Sequence, residues 1–130
     1  MNKIAIGIDL GGTRIKAIAI DHSGNFLYQK YYPTNDENDQ VWKTTILEAL
    51  NKIQDEIKSQ QIVIGISAPG LPNSNNLAIS FMPNRLQGLE NFEWSKFLKH
   101  ETFVLNDAIS AMMAESRHGV AMGKKNVVML

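Results

Sequence analysis

The chain has 130 residues, enough for one compact domain and few for two. With 44% hydrophobic and 20% charged residues it has the composition of an ordinary globular domain, and 13 Lys and Arg balance 13 Asp and Glu. That balance argues against a general nucleic-acid binder, which needs basic excess to neutralise phosphates. The absence of cysteine excludes disulfides, thiolate metal sites and a Cys nucleophile in these residues. No apolar run approaches 18 residues, which argues against a membrane span, and the start lacks a signal-peptide pattern, so the expected compartment is the cytoplasm.

Residues 3–10 and 14–20 are apolar-rich and joined through Gly11-Gly12-Thr13. Ile4, Ile6, Ile8 and Leu10 alternate with other residues, the period of a strand with one buried face. Gly-Gly at the joint is expected to supply the positive φ of a tight turn. A third strand, 25–32, follows a turn at 21–24, giving an antiparallel meander. From about residue 40 to 60, Trp42, Ile46, Ala49, Leu50, Ile53 and Ile57 form one helical stripe, with Asn38 or Asp39 as cap and Glu48–Lys52 as an outer ion pair.

Residues 62–68 read as a strand buried on both faces. Pro69-Gly70 ends it, and 71–91 read as a long functional connection rich in Asn, Pro and Gly. A short helix over 92–99, a strand over 102–105 and an Ala- and Met-rich helix over 107–118 follow, giving the order βββ-α-β-loop-α-β-α-β. The chain ends inside an apolar run, 126–130, as a chain cut within a strand would.

Three places carry candidate chemistry. Asp9-Leu10-Gly11-Gly12-Thr13 is a turn whose backbone N–H groups and Thr13 hydroxyl suit phosphate, with Arg14 and Lys16 adding positive charge. Asp9 would repel phosphate unless a cation such as Mg2+ stood between, held through water. A plain β-turn with a solvated Asp9 fits the same spacing. Asn106-Asp107 falls where a strand meets a helix, and Asp107 suits either a general base or a helix cap worth about 1 kcal/mol. Pro69-Gly70 and Asn84 lie at or beyond a strand's carboxyl end, where α/β proteins gather ligands, although turns are made of the same residue types. Residues 119–125 lack the spacing and the Ser or Thr of a nucleotide-binding P-loop.

These motifs in this order resemble the N-terminal domain of the ROK family of bacterial sugar kinases and regulators, within the superfamily of actin and hexokinase. Residues 6–21 (IGIDLGGTRIKAIAID) resemble its first phosphate motif, 65–72 (GISAPGLP) its sugar-pocket stretch, Pro83-Asn84 its Pro-Asn segment and 105–119 (LNDAISAMMAESRHG) its Asn-Asp helix. The resemblance implies an α/β fold, an RNase H-like (actin-like ATPase) lobe whose mixed sheet opens with the meander and continues in alternating helices and strands. It implies that Asp107 is the general base, that Gly70, Asn84 and Asn106 contact sugar, and that Asp9, Gly11, Gly12, Thr13, Arg14 and Lys16 serve ATP phosphates and Mg2+. Arg14 stands where Lys or Asn is common, and Ile109 where Asn is usual.

The resemblance further implies a lobe at 1–125, with 126–130 as the first strand of a missing C-terminal lobe. The second phosphate loop and any zinc cluster would belong to that lobe, so the isolated chain is expected to have little kinase activity. Its expected partners are a small-molecule sugar and ATP, and the full-length protein could form a homodimer. A sugar-sensing regulator and a non-catalytic actin-like binding module are the alternatives. The former usually carries a DNA-binding segment, for which eight residues before Asp9 are too few.

Overall fold

A computed structural model describes residues 3–35, 39–58, 61–82, 86 and 88–106. The meander is present as β1 (Lys3–Leu10), β2 (Arg14–Asp21) and β3 (Phe26–Pro33), followed by α1 (Asp39–Ile57) and β4 (Gln61–Ala68). Then come β5 (Leu71–Pro72), β6 (Ile79–Phe81), α2 (Trp94–Leu98) and β7 (Thr102–Asn106). The main sheet has five strands in the order β3-β2-β1-β4-β7. β1, β2 and β3 pair antiparallel, while β1, β4 and β7 run parallel, so the sheet is mixed. The helix expected over 107–118, the strand at 126–130 and the domain boundary at 125 lie outside the described residues.

Strict alternation gives the sheet two unlike faces. One carries Ile4, Ile6, Ile8, Leu10, Ile15, Ala17, Ala19, Ile64, Ile66, Ala68 and Val104, all buried. The α1 stripe of Trp42, Ile46, Ala49, Leu50 and Ile53 completes this cluster, as its spacing predicts. Each fully buried Ile or Leu contributes roughly 1.5–3 kcal/mol of burial free energy. Trp94 of α2 packs against Trp42 at 5.9 Å between ring centroids, so both helices lie on this face.

The other face carries Gly7, Ile18, Val63, Gly65, Ser67 and Phe103, none of them buried. The expectation that β4 is buried on both faces is therefore corrected. Ile64, Ile66 and Ala68 are buried, but Gly65 is exposed, because both described helices sit on the opposite face.

Three further expectations change. The 71–91 connection contains a small hairpin, with Leu71 paired to Phe81 and Pro72 to Ile79. At its far end, Asn76 accepts a hydrogen bond from the Val104 N–H at 2.7 Å and donates its amide to the Val104 carbonyl at 3.3 Å. The expected Glu48–Lys52 ion pair is not formed, and Lys52 lies beside Lys30, lowering the pKa of that ammonium. Among the described residues the glycines with positive φ are Gly24, Gly70 and Gly88, not Gly11 or Gly12.

The β2–β3 turn is held by the Asp21 carboxylate. It accepts the Asn25 and Ser23 backbone N–H groups at 2.9 Å each, and the Asn25 amide at 3.1 Å. These bonds, that of the Asn25 N–H foremost, hold its pKa below the usual carboxylate range. No helix among the described residues is long and apolar enough to cross a membrane.

Candidate functional site

The parallel strands β1, β4 and β7 all end at the same edge of the sheet. β1 runs into Gly11-Gly12-Thr13, β4 into Pro69-Gly70, and β7 ends at Asn106. Three stretches far apart in sequence thus meet where open α/β sheets gather ligands.

At the first turn, the Gly11 N–H donates to the Arg14 carbonyl at 3.1 Å. A Cβ on Gly11 would lie 2.8 Å from that carbonyl oxygen, so the turn closes this tightly only with glycine there. Lack of space, not a positive φ, is the reason for this glycine. Thr13 and Arg14 are exposed, Gly12 and Lys16 half-buried, and Asp9 exposed at the end of β1. Pairing places Asp9 opposite Lys16 on one side and opposite Ser67 on the other, all on the face away from α1.

Two residues here were not legible by spacing. Thr34, fully buried, donates its hydroxyl to the Gly11 carbonyl at 2.7 Å and its N–H to the Thr13 carbonyl at 3.0 Å. It pins both ends of the turn. Tyr31 packs its ring against Arg14, 4.5 Å from guanidinium to ring centroid, with the Lys16 ammonium at 5.6 Å. Both are brought in by the pairing of β2 with β3, a long-range relation no local motif encodes.

At the second end, the Asn106 side-chain amide donates to the Gly70 carbonyl at 2.7 Å, tying two expected sugar contacts to each other. Gly70 has φ +95°, and a Cβ there would lie 2.6 Å from the Phe81 carbonyl oxygen, so glycine is required for both conformation and space. Asn84 and Asp107, expected as a sugar contact and the general base, lie outside the described residues.

The donor set at the Gly11 turn fits an anion such as the phosphates of ATP: a hydroxyl on Thr13 and two cations, Arg14 and Lys16, beside a tight turn. Among the described residues no three His, Cys, Asp or Glu side chains gather to hold a metal. A single carboxylate, Asp9, fits Mg2+ carried mainly by phosphate and water, since Mg2+ rarely takes an all-protein cage. A cleft of about 350 Å³ between the β5–β6 hairpin and α2, lined by Asn73, Asn91 and Trp94 among others, contains none of these residues.

Several known proteins are similar to this chain. A glucokinase of Halalkalibacterium halodurans is 32% identical over 133 residues, covering 96% of this chain and 40% of its own length. An N-acetylmannosamine kinase of Escherichia coli is 28% identical over 116 residues, covering 86% of this chain and 38% of its own. The crystal structure of a ROK family glucokinase from Streptomyces griseus, in complex with glucose and AMPPNP, superposes with a TM-score of 0.75 at 24% identity, over 95% of this chain and 38% of that one. The chain therefore spans about two-fifths of the length of these relatives, and its lobe has the actin-like fold of ROK kinases. The ROK family model matches residues 5–130, and the chain belongs to the ROK family.

Proposed function

We propose that this chain is the N-terminal lobe of an ATP-dependent sugar kinase that transfers the γ-phosphate to a sugar hydroxyl. The observation that supports it best is the meeting of the Gly11–Thr13 turn with the hydrogen-bonded Gly70–Asn106 pair at one end of β1, β4 and β7. A phosphate site and a hydroxyl-binding site then lie along one edge, as phosphoryl transfer requires.

In this reading Gly12, Thr13, Arg14 and Lys16 bind and orient the phosphates of ATP, Gly11 closes the turn that presents them, and Asp9 holds Mg2+ through water. When bound, the metal neutralises charge on the phosphates. Gly70, Asn84 and Asn106 orient the sugar hydroxyls. Asp107, next to Asn106, accepts the proton of the attacking hydroxyl. The kinship with both glucokinases and an N-acetylmannosamine kinase supports a hexose or N-acetylhexosamine as substrate. The working protein includes a second lobe, acts in the cytoplasm, and the 130-residue chain by itself turns over little, because a cleft needs both walls.

The test is phosphorylation of a hexose and N-acetylhexosamine panel by the full-length protein. Asp107→Asn is expected to lower kcat by about 10²–10⁴-fold, the range for loss of a general base. Unchanged turnover in that variant overturns the role of Asp107. Failure of the full-length protein to phosphorylate any sugar overturns the kinase reading.

A further inference from the structure

Strand pairing lines up Asp9, Lys16 and Tyr31 as one row across β1, β2 and β3, on the sheet face away from α1. Arg14 stands two residues from Lys16 and so projects from the same face of β2. Two neighbouring cations on one strand repel each other, and long side chains left alone would diverge into water. Here both converge on one aromatic ring, the guanidinium at 4.5 Å and the ammonium at 5.6 Å from its centroid. The negative face of an aromatic ring attracts each cation, and Tyr31 keeps 45% of its surface exposed, so neither charge has to be buried.

We propose that Tyr31 is a positioning residue for the phosphate chain of a nucleoside triphosphate, acting through Arg14 and Lys16. This rests on the kinase reading above. The ring collects the two side chains before the ligand arrives, which reduces the ordering cost of binding. It touches no phosphate itself. Thr34 fixes the backbone of the same turn, so β3 and the residue after it supply both restraints, one on the main chain and one on the side chains.

The experiment titrates the chain with inorganic tripolyphosphate, followed by NMR. Tyr31→Phe keeps the ring and is expected to bind within about twofold of the parent. Tyr31→Leu keeps apolar bulk without the ring and is expected to bind about 2- to 5-fold more weakly, the factor a surface cation–π contact carries. It is also expected to abolish the upfield ring-current shift of the Arg14 side-chain protons. In an Arg14→Gln, Lys16→Gln background, Tyr31→Leu should have no further effect. Equal affinity in Tyr31→Leu and parent, a loss that persists in the double-Gln background, or no binding of tripolyphosphate by the parent each overturns the proposal. Sugar phosphorylation by the full-length protein would survive any of these results, so the two readings fail separately.

Discussion

The two faces of the five-stranded sheet are built from the same strands and do different work. On one, every residue from β1 is Ile or Leu, and α1 seals it without a charged group entering from β1. On the other, the same strands present Gly7, Asp9, Lys16, Ser67 and Tyr31. Period-two geometry allows this division, because a substitution on one face leaves the other face's contacts in place. Stability is concentrated where the helices sit, and candidate chemistry on the opposite face and at the strand ends.

That contrast can be broken most sharply by Trp42→Ala. It empties a fully buried site and is expected to cost about 3–5 kcal/mol in urea denaturation. Gly70→Ala comes next, at about 2–3 kcal/mol, from a positive φ combined with a 2.6 Å clash against the Phe81 carbonyl. It should also disturb the hydrogen bond from the Asn106 amide to the residue-70 carbonyl, visible as a shift of the Asn106 side-chain NH2 resonances.

Thr34→Val is expected to cost about 1–2 kcal/mol by leaving the Gly11 carbonyl without its partner, and to weaken anion binding at the turn. On the open face, Gly65→Ala meets nothing within 4 Å and is expected to stabilise by about 0.4–1 kcal/mol. A large loss there would erase the distinction between the faces.

The smallest effect concerns Asp21. Its pKa is lowered on folding, so its contribution is present above the unfolded carboxylate value and lost as pH falls through the folded one. The stability gap between parent and Asp21→Asn should therefore narrow on acidification, measurable as converging Tm values.

Much of the fold was legible because long elements carry long patterns. Ile4, Ile6, Ile8 and Leu10 declare a strand, and Trp42 to Ile53 declare a helix face. The β5–β6 hairpin was not legible, since two- and three-residue strands are too short to show a period. At the site, the Gly11 turn and the Gly70–Asn106 end could be located by motif, but the physical reason for Gly11 could not. Its need arises from the Arg14 carbonyl folding back on it. Thr34 and Tyr31 escaped because their roles depend on the register between β2 and β3.

The contact between Asn76 and Val104 has a consequence for how molecules of this protein meet. Among the described strands β7 stands last in the sheet beyond β4, and a last strand normally offers a row of unpaired backbone groups on which another chain can assemble. Both the N–H and the carbonyl of Val104 are occupied by one asparagine, halfway along the five residues of β7. A foreign strand cannot add at that border without first displacing the hairpin. The opposite border ends at Pro33, which has no N–H to offer. Sheet-to-sheet polymerisation is thus resisted at one border by an asparagine whose main-chain carbonyl and side-chain amide together take the place of a neighbouring strand, and at the end of the other by an imino acid.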